Sequence, residues 1–312
     1  MKTRRLTPAL VLAIAVMASS AHAQYTPSAG RSEPMMEKKV KVRDKRTGEM
    51  REQTVQVRPE SDQYGNAQGN QFDLAVDGAF SGQTILIIDY YSNANAQDFS
   101  GPKVAVHTKG FSMVRYSTTP SPPELEKLLA KSNQFWLISS CDNSVHLTRK
   151  HHTIIREFFD AGHGVYLWGD NDPCNADANA LAKLLVGAHV KGDVPGDTTV
   201  QISDGPGKPG VVRDHLLTTG VEHVYEGVTV ATVKPSPNQP LTPIIWGSAG
   251  NLVTAAYERK AKRLIIDGGF TRLSYKWDTA GTARYIRNAA AWLANVERFG
   301  TQVTSAAAPT KK

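Results

Sequence analysis

Two cysteines in 312 residues, Cys141 and Cys174, are too few for a disulfide-knit scaffold or a four-cysteine zinc site. The sequence has no H-E-x-x-H pair, no G-x-S-x-G elbow and no G-x-x-x-x-G-K-[ST] loop. Zincin chemistry, serine hydrolysis from an α/β-hydrolase elbow and P-loop nucleotide hydrolysis therefore lack their signatures. Beyond residue 17, no apolar run approaches the roughly 20 residues that a membrane-spanning helix needs. No internal repeat points to a solenoid or a propeller. The formal charge is +7, of which Lys2, Arg4 and Arg5 supply three, leaving a modest excess. Part of it lies in "EKKVKVRDKRTGEMREQ" (37–53), with no concentrated patch of the kind that nucleic acid requires. No nucleic-acid partner is expected.

What is present begins with a leader. A basic start, the apolar run "ALVLAIAVM" (9–17) and the small-residue stretch "AHA" (21–23) read as a secretory signal peptide over 1–23. The mature chain is expected from about Gln24, periplasmic or secreted from a bacterium, without stable membrane insertion. In that oxidising setting an isolated cysteine pair points to a disulfide.

Residues 24–71 read as a flexible leader containing a basic β-hairpin around Thr47-Gly48, followed by the linker "PESDQYGNAQGNQ". Residues 72–298 read as the folded domain and 299–312 as a disordered tail. Inside the domain, "TILIID" (84–89), "FSMVRYS" (111–117), "QFWLISS" (134–140) and "GVYLWG" (164–169) are continuous apolar strands, with helices predicted over 120–132 and 147–162. Thr148 is the expected N-cap of the second helix, whose buried stripe leaves His151 and His152 solvated. After 240 the runs "TPIIWGS", "NLVTAAYE" and "KRLIIDGG" follow one another through tight turns, as in an antiparallel meander. A last helix is predicted from about Asp278 to Val296. Strands alternating with helices mean an α/β fold with a mainly parallel sheet and right-handed crossovers.

In such a sheet, ligands sit beyond the carboxyl ends of the strands. The candidate ligand-binding residues are therefore Asp89, Tyr90, Gly169, Asp267, Gly268 and Arg272, and the candidate catalytic residues are Asp170, Asn171 and Asp142. Asp172-Pro173 has the form of an N-cap followed by proline at the first helical turn, and Asp177 would then face the helix dipole. "DNDPCNAD" lacks the turn glycine and the closing glutamate of a calcium loop, so no metal and no other cofactor is expected. Cys141 and Cys174 follow strands that are neighbours in a flavodoxin-like order, which makes a bridge the expectation. Left free, Cys174 at a helix start would be a nucleophile, with His215 as its base.

The stretches "FFDAGHGVYLWGDN", "HLLTTGVEHVYEG", "LIIDGGFTRL" and "TARYIRNAAAWL" resemble the class I glutamine amidotransferase-like superfamily, especially its ThuA-like and stand-alone bacterial branch. The resemblance spans roughly residues 80–296. It implies a flavodoxin-like three-layer α/β/α sandwich. Active members place a nucleophilic cysteine in an elbow that here reads Gly169-Asp170-Asn171, and a His-x-Glu where this chain has Asp267-Gly268-Gly269. The resemblance thus implies an exported domain that binds a small ligand or an envelope partner at the strand rim without glutamine amidotransfer. A hydrolase acting on carbohydrate or envelope material through Asp170, Asp142 or Cys174 with His215 is the alternative. An accessory role for the basic hairpin is a third.

Overall fold

A computed structural model describes residues 24–91, 99–274, 276–277 and 279–300. The expected signal peptide, most of the expected tail and Asp278 lie outside the described residues. The hairpin forms as predicted, from β1 (Met36–Arg43) and β2 (Met50–Val57). The body then runs β3 (Thr84–Asp89), α1 (Ser100–Thr108), β4 (Ser112–Tyr116), α2 (Pro122–Leu129), β5 (Gln134–Ile138), α3 (Arg149–Asp160), β6 (Gly164–Trp168) and α4 (Ala176–Val186). After these come β7 (His189–Pro195), β8 (Thr199–Val200), β9 (Gly210–Val211), β10 (Val224–Tyr225) and β11 (Thr229–Lys234). The chain closes with β12 (Thr242–Trp246), β13 (Leu252–Arg259), β14 (Lys262–Asp267), α5 (Thr271–Ser274), α6 (Thr282–Leu293) and α7 (Val296–Phe299).

Eight strands form the central sheet in the order β4-β3-β5-β6-β14-β13-β12-β9. The first five are parallel and the last three antiparallel, so the expected α/β class and C-terminal meander are both present. The inner parallel strands β3, β5, β6 and β14 are buried on both faces, whereas the edge strand β4 has no fully buried residue. Ile85, Ile87, Trp136, Tyr166 and Ile265 pack into one core with α1 and α6. Leu86, Phe135, Leu137, Val165 and Leu264 pack into a second, which includes apolar residues of α2, α3, α4, β7 and β11. Each such side chain contributes about 1.5–3 kcal/mol by leaving water, which is why short five-residue strands hold.

The β7–β11 pair was not foreseen, and neither was α1. β7, "HVKGDVP", buries only Val190, and α1 buries only Pro102, Ala105 and Val106. Neither leaves a long apolar period to read. The stretch Gly205-Pro206-Gly207-Lys208-Pro209-Gly210 has dinucleotide-loop spacing, but it leads into β9, with no helix behind it.

Residues 24–34 and 58–72 are folded against the body, contrary to the reading of a free leader and linker. Thr26 Oγ1 donates to the Asp73 carbonyl at 2.6 Å, and Ser32 Oγ lies 3.0 Å from Thr218 Oγ1. Asn66 is fully buried, donating to the His223 carbonyl and accepting from the Glu222 and His223 N–H groups. Composition marked these segments as loop; side-chain bonds over 150 residues away in sequence are invisible to composition. His151 is likewise buried, its Nδ1 accepting from Thr148 N–H and its Nε2 donating to the Pro120 carbonyl. Thr148 is the N-cap as predicted.

The hairpin alone stands off the body, since none of its strand residues is buried. Replacing residues 37–56 with a short Gly-Ser turn is therefore expected to shift Tm by less than about 4 °C. A fall of more than roughly 8 °C in a thermal melt would show that the hairpin carries packing.

Candidate functional site

Register aligns the strand ends. Asp89 pairs with Ile138, Ile138 with Trp168 and Trp168 with Asp267, so the residues after them share one rim. A cleft of about 460 Å³ opens there, lined by Tyr90, Tyr91, Thr119, Ser140, Asp142 and His146 among others. Its walls are the chain ends that follow β3, β4 and β5.

The disulfide between Cys141 and Cys174 joins the segment after β5 to the start of α4. This removes Cys174 as a nucleophile. It also brings Asp177, in the first turn of α4, to His146. The buried Asp177 carboxylate accepts from the His146 backbone N–H at 2.7 Å and meets its Nδ1 at 3.1 Å. Asp142 Oδ2 lies 3.3 Å from Nε2 on the other side. The imidazole stacks on Tyr90 with ring centroids 4.4 Å apart. Asp142 is exposed, and hydrogen bonds from the Ser140 hydroxyl and Ser144 N–H hold its carboxyl below the usual range. Sequence reading missed His146. The clue was its place between Cys141 and the helix cap Thr148, where a bridge to Cys174 brings in whatever follows that cysteine.

The neighbouring carboxylates divide into paired and unpaired. Asp89 is fully buried and bonded to the Arg115 guanidinium at 2.7 and 2.9 Å. Asp267 and Arg272, both fully buried, form an ion pair. Asp267 also accepts from Tyr166 and Thr254 hydroxyls at 3.0 Å and from Gly269 N–H at 2.9 Å. Arg272 donates to the Glu226 carbonyl at 2.8 Å and to Thr254 Oγ1 at 2.7 Å, between the rings of Trp168 and Tyr285. Asp267 and Arg272 thus lie beneath the rim and frame it, with no surface to offer a ligand. Gly268 is explained by close approach: a Cβ there would come 2.4 Å from the Ala231 carbonyl oxygen. Gly169 is similar, its absent Cβ making room for Val190 and Asn175.

Asp170 is the exception. It is 1% exposed, and among the described residues neither carboxylate oxygen is in an ion pair or a well-formed hydrogen bond. Burial pushes its pKa up to about 7, against the weaker lowering influence of Asn171 N–H, the Tyr91 hydroxyl and Arg272. Asn171 is half-buried, its side chain donating to the Asp172 carbonyl. Asp172 is not an N-cap: α4 begins at Ala176 with Asn175 as its cap, and Asp172 and cis-Pro173 lie in the turn before it. Asp172 instead accepts from Asn175 Nδ2 at 2.6 Å and from Gly192 N–H at 2.8 Å, which ties β7 to the rim. Local sequence grammar cannot see a partner 20 residues away. His215 sits at the other end of the sheet beside Trp292, where burial lowers its pKa to about 4. It is not placed to serve Cys174. Among the described residues, no cluster of three or more His, Cys, Asp and Glu could hold a metal ion.

No family model matches the chain, and no curated protein matches it. Among solved structures, the exo-β-1,4-mannosidase Op5Man5 from Opitutaceae bacterium strain TAV5 is similar over 69% of this chain at 12% identity, with a TM-score of 0.39. The chain covers 36% of that enzyme's length. A likeness this low carries no functional assignment.

The state of Asp170 has a stability consequence. An acid whose folded pKa lies above its unfolded value destabilises the fold once ionised. Stability therefore falls as pH rises from about 4 to about 7, by roughly 3–5 kcal/mol in full. Asp170→Asn removes that loss. Its advantage over wild type in urea unfolding is expected to grow from pH 4 to pH 8. A difference that stays flat with pH would contradict an unpaired buried carboxylate.

Proposed function

We propose that the chain is an exported, ligand-binding member of the class I glutamine amidotransferase-like superfamily that has no amidotransfer chemistry. The parallel order β4-β3-β5-β6-β14 supports the flavodoxin-like part of this reading, since renumbered along the chain it is 2-1-3-4-5. The position after β6 holds Asp170 and Asn171 where active members hold a thiol, and both cysteines are bonded to each other. The single observation that carries a binding role is the rim cleft. It is large enough for a small molecule and combines tyrosine faces with hydroxyls and one exposed acid.

A hydrolytic reading keeps one supporting observation. His146 has its Nδ1 held by a buried aspartate, the arrangement that orients a general base. The Cys174 and His215 route falls away. Amide-resolved NMR of the full chain, titrated with monosaccharides, amino acids and diamines, tests the binding reading. Shifts clustered at Tyr90, Thr119, Ser140 and His146 are expected. Shifts found only elsewhere, for example in the cleft formed by Pro206, Pro243 and Trp246, would overturn it.

A further inference from the structure

We infer that the rim cleft takes a ligand bearing a cationic nitrogen, an amine or a guanidine, and that Asp170 is its counter-ion. This rests on the binding reading above. Five carboxylates converge on the rim: Asp89, Asp142, Asp170, Asp177 and Asp267. Among the described residues, the cations set against them in ion pairs are Arg115, bonded to Asp89, and Arg272, bonded to Asp267. Asp142 and Asp177 share the single imidazole of His146. Asp170 has nothing. The rim therefore carries an excess of negative charge that repels an anion and attracts a cation.

The cleft chemistry agrees. Tyr90 and Tyr91 line the cleft with aromatic rings, which favour cations; one face of Tyr90 is already stacked on His146. Ser117, Thr119 and Ser140 offer hydroxyl oxygens that accept from N–H donors. Tyr91 connects the two features: it lines the cleft, its ring packs against Phe270 at 4.5 Å, and its hydroxyl faces Asp170. An ammonium or guanidinium that takes the place of that hydroxyl gives Asp170 the charged partner it lacks. A buried carboxylate left without one is costly, and a site built for a cation is the arrangement in which that cost is recovered on binding.

Binding is proton-linked. The groups that face Asp170 are Tyr91, Asn171, Asp267 and Arg272. Arg272 stays on Asp267, so the incoming cation is what ionises Asp170. A protonated amine enters, the Asp170 carboxyl gives up its proton to the buffer, and the ion pair forms. Below pH 7 one proton is released per ligand bound; above pH 8 none is.

Isothermal titration calorimetry on the full secreted chain tests this, with 1,5-diaminopentane and L-lysine as probes and glucose and glutarate as comparators. The diamine and lysine are expected to bind and glutarate not to. Their affinity should rise towards tenfold per pH unit below pH 7 and level above pH 8, with proton release scaling with buffer ionisation enthalpy. Asp170→Asn should weaken binding at least tenfold at pH 8 and abolish the pH dependence. Asp142→Asn, at an exposed position that leaves the fold alone, should weaken it less. Glucose binding at the cleft with no diamine binding overturns the cationic assignment and leaves the rim reading standing. No binding or cleft shift from any of the four compounds overturns both. Diamine binding that is unchanged in Asp170→Asn but lost in Asp142→Asn overturns the role given to Asp170.

Discussion

The Asp267–Arg272 ion pair organises this molecule. It ends β14, turns the chain through Gly268 and Gly269 into α5, and fastens the Glu226 carbonyl and Thr254 hydroxyl to the same guanidinium. Two fully buried charges are tolerable only when each is satisfied, and removal of either partner costs roughly 3–5 kcal/mol. Tyr166 and Tyr285 complete the enclosure, their hydroxyls 3.1 Å apart and their pKa values raised chiefly by burial. The Nη atoms of Arg272 are committed to Asp267, Thr254 and the Glu226 carbonyl, and its charge lowers the pKa of Asp170, on the adjacent strand end, less than burial raises it. The pair that holds Arg272 on Asp267 thereby leaves Asp170 without an ion-pair partner among the described residues.

The other half of the rim is held by different means. The disulfide and the Ser139–Ala178 hydrogen bond, at 2.8 Å, lock the end of β5 to α4. Asp177 then fixes His146, and His146 stacks on Tyr90. The result is a cleft one side of which is tied by the disulfide and by the Asp177–His146–Tyr90 contacts. Tyr91, with a half-buried ring and a hydroxyl facing an unpaired carboxylate, is the wall between the cleft and Asp170.

Much of this was legible in the sequence, for physical reasons. Buried parallel strands are apolar runs that end where the sheet ends, so Asp89, Asp170 and Asp267 announce themselves as rim residues. The cysteines follow two such runs, which is why their pairing could be foreseen. What stayed hidden depends on contacts distant in sequence. Asp172 looked like a cap because Gly192 could not be seen beside it. Arg272 looked like a ligand-binding residue because a buried ion pair and an exposed one are spelled alike. His146 has no motif of its own and acquires its place only through the fold. The segments 24–34 and 58–72 read as loop because they are loop, but their polar groups are bonded to the body.

The most direct test is site-resolved NMR titration of the Asp170 carboxyl carbon in wild type and in Asp267→Asn. The account predicts a wild-type midpoint near 7, set by burial that outweighs the Asn171 N–H, the Tyr91 hydroxyl and Arg272. It predicts a lower midpoint in Asp267→Asn, where Arg272 is released from its carboxylate and becomes free to stabilise ionised Asp170. A wild-type midpoint near the ordinary aspartate value of about 4, or one that the loss of Asp267 leaves unmoved, would contradict it.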